Sequence, residues 1–144
     1  MTYVEDVLRT PKEIRESVDW GFADHPQYVE CKLPVTLPQK PWFNVRLAMT
    51  AHANRQPQKA GFALIFNERI FGLDVNPAMI HNNRDGSGAI NGTHWTLWPC
   101  ENVELDKREM THQQWFDQFL QRANINFFGR YEPPPYRPEQ IRLL

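Results

Sequence analysis

Residues 73–98 read LDVNPAMIHNNRDGSGAINGTHWTLW, and the chain is organised around this stretch. Two apolar, strand-like runs flank a loop that is rich in Gly, Asn and Asp. These residue types favour turns, because they tolerate left-handed backbone angles and hydrogen-bond their own main chain. The second run, HWTLW at 94–98, ends at Pro99. The stretch therefore predicts a strand, loop, strand unit at the centre of a sheet.

The upstream sequence supplies further strands. The runs YVECKLPVTL at 28–37 and WFNVRLAMTAH at 42–52 alternate apolar and polar residues, which is the period of a half-buried strand. Pro34 places the first of these at a sheet edge, because proline lacks a backbone N–H. FALIF at 62–66 and RIFGLDV at 69–75 are separated by two residues, the spacing of a tight hairpin.

Helix signals occur near both ends of the chain. Within residues 3–20 the apolar residues follow helix-like intervals, and Thr10-Pro11 has the form of an N-cap and first-turn pair, so we expect a broken helix or a short helix after Pro11. Thr111 and Gln114 form a capping-box pattern that predicts a helix from about 112 to 123. The charged run at 101–110, which precedes this second helix, is predicted to be a loop.

These elements predict one α+β domain at residues 1–127, followed by a proline-rich C-terminal arm at 128–144. The expected fold is a mostly antiparallel sheet of about four or five strands, packed by an N-terminal and a C-terminal helix. The arm is expected to be extended, along the protein's own surface or along a partner.

Charge and composition restrict the function. The formal net charge of the 144 residues is -1, so the chain lacks the global basic field that drives non-specific duplex binding. The sequence contains neither a bilayer-spanning apolar run nor a signal-peptide pattern, and we expect a soluble, cytoplasmic protein without a membrane partner. Cys31 and Cys100 lack CxxC spacing, so we expect buried free thiols.

The loop of the opening stretch carries two histidines, His81 and His94, 13 residues apart. Two strands joined by a loop can bring residues at this separation face to face. Imidazole titrates near neutral pH, so two of them can serve as base and acid toward a ribose 2′-hydroxyl and a leaving 5′-oxygen. Arg84 would hold the phosphate, and Asp74 would orient an imidazole. This inventory predicts a metal-independent RNA-cleaving site.

Four further residues are predicted to bind substrate, because they supply positive charge or hydrogen-bonding groups near that site: Arg46, Arg69, Asn83 and Thr96. Two other interpretations stay open. The stretch has the composition of an ordinary turn, and Asp74, His81 and His94 can also be read as ligands of one metal ion. The metal interpretation lacks HxH, HExxH or EF-hand spacing, so we expect neither a metal nor another cofactor.

The same residues resemble a family of small bacterial proteins with the pattern LD, then HxNxDG, then GxHxH. Here the pattern falls on Leu73-Asp74, on 81–86 and on 92–96, and FxxFLxxxNI falls on 116–125. The resemblance covers roughly residues 43–125. It implies the toxin half of a toxin–antitoxin pair, with an antitoxin partner, and it points to Asp74, His81, Asn83, Asp85 and His94. Thr96 replaces the second histidine of GxHxH, so this position cannot titrate.

The sequence therefore predicts a toxin-like protein that acts on RNA through a His pair. The alternative is a non-enzymatic interaction module of phage or mobile-element origin, which binds a protein through the sheet edge near Pro34 and the proline-rich arm. The two predictions differ in geometry. An enzyme needs its imidazoles to converge beside arginines, whereas a binding module does not.

Overall fold

The computed structural model of this protein describes residues 3–55, 58–77, 92–98 and 102–137. It is an α+β fold built on a seven-stranded antiparallel sheet, with a separate two-stranded parallel sheet. The helices are α1 (Tyr3–Arg9) and α2 (His112–Arg122), and the strands are β1 (Lys12–Ile14), β2 (Gly21–Phe22), β3 (Tyr28–Val35), β4 (Val45–His52), β5 (Ala60–Phe66), β6 (Glu68–Val75), β7 (His94–Leu97), β8 (Asn102–Leu105) and β9 (Ile125–Phe127).

The strand order of the large sheet is β2-β3-β4-β5-β6-β7-β8, so each strand pairs with its neighbours in the chain. The α+β class and the antiparallel sheet are confirmed, but the expected number of four or five strands was wrong. β2 is only two residues long, and β8 lies in the charged run that was predicted to be a loop. Short strands of this kind depend on pairing with a neighbour rather than on their own sequence.

One face of the large sheet packs against α2. Phe119 of α2 is fully buried, and its ring centroid lies 5.7 Å from Phe62, 5.1 Å from Phe71 and 6.2 Å from Trp95. The Thr111 hydroxyl accepts from the Gln114 N–H, and the Gln114 side chain accepts from the Thr111 N–H, so the predicted capping box is confirmed. Among the described residues α2 packs against this face alone, and we call the opposite face the open face.

The N-terminal helix lies before Pro11, not after it, and the Lys12 side chain caps its C-terminal end. The Lys12 side chain is fully buried, and its ammonium donates to the carbonyls of Val7, Leu8 and Thr10 at 2.6, 3.0 and 2.8 Å. These carbonyls lack partners within a helix that ends here. Lys12 itself then begins β1, which pairs in parallel with β9 from beyond α2.

The described part of the proline-rich segment lies on the protein's own surface. The Arg130 carbonyl accepts from the Val18 N–H at 2.9 Å, the Glu132 carbonyl accepts from the Trp20 indole at 2.9 Å, and the Arg137 N–H donates to the Ala53 carbonyl at 2.7 Å. Cys31 is buried and free, as expected, while Cys100 lies outside the described residues. No helix among the described residues is long and apolar enough to cross a membrane.

Candidate functional site

The open face of the large sheet carries ordered cross-strand rows. Strand register places one row of residues across six strands, which is polar or small except at its last member: Glu30, Thr50, Gly61, Asp74, His94 and Leu105. The adjacent row is Lys32, Ala48, Ala63, Gly72, Thr96 and Val103. Residues in such rows are neighbours on one face because side chains alternate along each strand. Small residues, glycine and alanine, therefore occupy the middle of the open face.

Asp74 and His94 face each other across β6 and β7. Their register pairs them directly, and the His94 Nε2 lies 3.3 Å from the Asp74 Oδ2. The other ring nitrogen, Nδ1, lies 3.0 Å from the Gly92 carbonyl. The Asp74 carboxylate and the Gly92 carbonyl therefore hold the His94 ring from two sides. The side chain is only 15% exposed, which holds the ring in this position.

Arg69 completes the cluster. Its Nη2 donates to the Asp74 Oδ2 at 2.9 Å and to the Thr96 hydroxyl at 3.2 Å. One carboxylate oxygen of Asp74 thus contacts both the guanidinium and the imidazole. The guanidinium balances the carboxylate, and its partly exposed side chain can also donate to an anionic group at the open face.

An irregularity in β6 brings Arg69 to this face. Ile65 pairs with Arg69, but the preceding residue Leu64 pairs with Phe71, so Ile70 is an extra residue in β6. In a regular strand Arg69 and Asp74, five positions apart, would point to opposite faces. The bulge reverses that parity, so both lie on the open face. The guanidinium then crosses Gly72, where an added Cβ would lie 1.9 Å from the Arg69 Nη2.

The structure thus brings together four of the predicted site residues, Asp74, His94, Arg69 and Thr96. Arg46 is on the same face but farther away, because it pairs with Ile65, and Ile65 pairs with Arg69. Two strand spacings separate the two arginine backbones, about 10 Å. His81, Asn83 and Arg84 lie outside the described residues, as does Asp85.

Two contributors were not singled out from the sequence. The Gly92 carbonyl holds the His94 ring, and Gly92 has a positive φ of 94°, which favours glycine. Gly72 leaves room for the Arg69 side chain. An isolated glycine inside a strand pattern is a signal of close approach, and it would have drawn attention to Gly72.

Other histidines in the described part of the chain lie away from the cluster. His52 is on β4, three strand spacings or about 14 Å from β7. Burial and the nearby cations Arg55 and Lys59 lower the pKa of His52. His112 packs under the opposite face, stacked on Phe62 at 5.0 Å, and burial lowers its pKa to about 4. Neither can pair with His94 across a single substrate.

Within the described residues no three His, Cys, Asp or Glu side chains come together as metal ligands. Asp74 and His94, two of the three residues in the metal interpretation, are adjacent, and His81 lies outside the described residues. No family model, curated protein or solved structure matches the chain. The resemblance to the toxin-like family therefore remains a prediction.

Proposed function

We propose that this protein is a toxin-like, metal-independent ribonuclease whose site lies on the open sheet face around Asp74 and His94. The single observation that supports this proposal is the contact of the Asp74 carboxylate with both the His94 imidazole and the Arg69 guanidinium. An oriented imidazole beside a guanidinium is a combination that serves phosphodiester cleavage, since one group moves a proton and the other binds the phosphate.

In the proposed reaction His81 removes the proton of a ribose 2′-hydroxyl, whose oxygen attacks phosphorus. In the second proton transfer, the His94 Nε2 turns from the Asp74 carboxylate toward the substrate and gives a proton to the 5′-oxygen as the P–O5′ bond breaks, and a 2′,3′-cyclic phosphate remains. Arg69 and Arg84 hold the non-bridging oxygens. Asp74 orients His94 and Arg69, so it acts as a positioning residue. The roles of His81 and Arg84 come from the sequence alone.

Expression and cleavage assays test this proposal with matched variants. Expression of the wild type should arrest growth, and the purified chain should cleave RNA in the presence of a chelator but leave an oligonucleotide with 2′-deoxyribose at the cleavage position intact. His94→Ala and His81→Ala should each lose both effects while remaining folded. His25→Ala is the matched control, because His25 lies in an exposed turn. Retained activity in both site variants would overturn the proposal.

The same assays address the alternative, a non-enzymatic interaction module. A binding module would tolerate both histidine substitutions and would not release a cyclic phosphate. The described part of the proline-rich arm already hydrogen-bonds to the protein's own surface, so this alternative depends on the sheet edge near Pro34. At this end of the sheet β2 pairs with β3 at Val29 and Glu30, so the part of β3 near Pro34 extends beyond β2.

A further inference from the structure

An exposed cluster of aromatic side chains lies at one end of the large sheet. Trp42 is 71% and Tyr3 is 74% exposed, and the ring centroid of each lies 6.0 Å from that of Phe43. Phe43 in turn contacts Phe66 at 5.2 Å. We call these four residues the aromatic rim. Two large rings that are both exposed and share one contact form a contiguous patch, and such patches mark binding sites, unlike single exposed apolar residues.

The aromatic rim adjoins the arginines of the open face. Ile65 pairs with Arg46 on one side and with Arg69 on the other, and the next residue of β5 belongs to the rim. Trp42 and Arg46 are four residues apart in the chain, which is at most about 14 Å. The Arg69 side chain leads from this end of the sheet to Asp74, which it contacts at 2.9 Å. The two arginines therefore connect the proposed cleavage site with the aromatic rim.

The charged groups beside the rim favour an anionic ligand. The Asp6 carboxylate is bound by the Lys40 ammonium, which also lies 6.0 Å from the centre of a rim ring. The Glu68 carboxylate accepts from the Trp98 indole at 2.6 Å. Arg46, in contrast, is exposed and forms no ion pair with another residue in the described part of the chain. Its guanidinium therefore has donors available for a ligand, and a guanidinium binds phosphate oxygens well.

We propose that the aromatic rim is a nucleobase subsite, in which an unpaired base of single-stranded RNA stacks on the Trp42 indole and Arg46 binds the adjoining phosphate. A nucleotide combines a flat π-face with an anionic backbone, which matches an exposed ring with a guanidinium within reach. The bases of a duplex are covered by their neighbours, so the subsite selects an unpaired base. Stacking tolerates any sequence, because every base has a π-face.

A nucleobase fits the rim better than a protein partner does. A protein interface of standard size buries about 800 Å² on each partner around an apolar centre. The open face next to the rim instead carries Arg46, Arg69 and Asp74. This inference rests on the proposed function for the position of the cleaved bond. With Arg69 on the phosphate that is cleaved, the base on Trp42 belongs to a nucleotide beyond that phosphate, and the substrate is single-stranded.

Binding of an uncleavable oligonucleotide tests the subsite apart from catalysis. A single strand of about ten 2′-O-methyl nucleotides lacks the attacking hydroxyl, so it reports binding alone. The wild type should bind this strand more tightly than its duplex, with quenching of tryptophan fluorescence. Trp42→Ala should weaken binding roughly 5- to 150-fold. Trp42→Phe keeps a stacking ring, so it should bind more tightly than Trp42→Ala while losing the quenching that comes from Trp42. Arg46→Gln should lower the slope of log affinity against log salt by about 0.7.

Phe22→Ala is the matched control for Trp42→Ala, because Phe22 is an aromatic residue that is 70% exposed on β2. Arg130→Gln, at an exposed position after β9, is the control for Arg46→Gln. Both controls should bind as the wild type does. Wild-type affinity in folded Trp42→Ala, an equal loss in Phe22→Ala, or a wild type that does not bind the single strand would overturn the subsite.

Cleavage of ordinary RNA separates the two proposals. A protein that binds the single strand through Trp42 but does not cleave RNA contradicts the ribonuclease function and keeps the base-binding role of the rim. A protein whose RNA cleavage and binding do not depend on Trp42 contradicts the subsite alone.

Discussion

His94 lies directly across from Asp74 on the neighbouring strand, with its Nε2 3.3 Å from the Asp74 Oδ2. The same carboxylate oxygen accepts from Arg69 at 2.9 Å. Asp74 therefore holds an imidazole and a guanidinium side by side on an open surface. The side chains of Asp74 and Arg69 are 35% and 38% exposed, so solvent weakens the ion pair. The cluster is better suited to positioning groups than to stabilising the fold.

Replacing Asp74 by Asn should therefore affect activity more than stability. We expect a loss of at most about 1 kcal/mol in the free energy of unfolding, because partly exposed ion pairs contribute little. RNA cleavage should fall, since the amide holds the imidazole and the guanidinium less firmly than the carboxylate does. Urea unfolding and cleavage rates measure the two effects. A large stability loss that accounts for the lost cleavage would contradict this expectation.

Gly72→Ala should displace the Arg69 side chain. The added Cβ would lie 1.9 Å from the Arg69 Nη2, and the guanidinium is the flexible end of its side chain, so it will move. We expect loss of the Arg69 contacts with Asp74 and Thr96, with the sheet retained. A crystal structure of the variant measures the Nη2 to Oδ2 distance.

Gly61→Ala is the control for Gly72→Ala, because it lies on the same face and its Cβ would meet the Thr50 hydroxyl at 3.0 Å instead of a guanidinium. Cleavage should be weakened more by Gly72→Ala than by Gly61→Ala. Equal losses of cleavage in the two variants would mean that cleavage does not depend on the position of the Arg69 side chain.

His112 should make the fold sensitive to acid. The His112 Nδ1 lies 2.6 Å from the Tyr131 hydroxyl, and burial lowers the His112 pKa from 6.5 to about 4. The unfolded chain therefore binds the proton first, and stability present above pH 6.5 is lost as the pH falls to 4. The loss reaches about 3 kcal/mol.

Urea unfolding at several pH values measures this slope. His112→Phe should flatten it between pH 6.5 and 4, because the aromatic stacking remains while the titrating group is removed. His25→Asn, in an exposed turn, should keep the slope. An unchanged slope in His112→Phe would rule out His112 as its source.

Lys12→Met should destabilise the fold by roughly 2–4 kcal/mol, because it leaves three carbonyls at the end of α1 without their charged donor. Burial lowers the Lys12 pKa to about 8, so the ammonium form still predominates at neutral pH. Chemical unfolding measures the change. Lys32→Met, at an exposed strand position, should stay within about 0.5 kcal/mol of the wild type. Equal effects of the two substitutions would contradict the capping role.

Local patterns predicted the central part of this fold well. The alternation in 28–37 and 42–52 corresponds to β3 and β4, and the hairpin at 62–75 corresponds to β5 and β6, where Asn67 has a positive φ of 63°. These features could be predicted from the sequence because alternation and turn chemistry act between residues that are close in the chain.

The errors fall where a pairing partner, and not the local pattern, decides the structure. The helix expected after Pro11 is replaced by β1, since β1 gains its partner from β9, more than 100 residues away. The loop expected at 101–110 contains β8, which pairs with β7 and is tied to α2 by Glu104 and Arg122. Neither partner can be inferred from the local pattern of these segments.

The sequence by itself determined which residues alternate between the two faces, where α2 begins, and that Asp74 and His94 belong to adjoining strand-like runs. Only the tertiary structure decided that these two residues are register partners and that Arg69 joins them. The reason is the extra residue at Ile70, which changes the side of the sheet to which Arg69 points. A bulge of this kind depends on the pairing of β5 with β6, and alternation within a single strand does not reveal it.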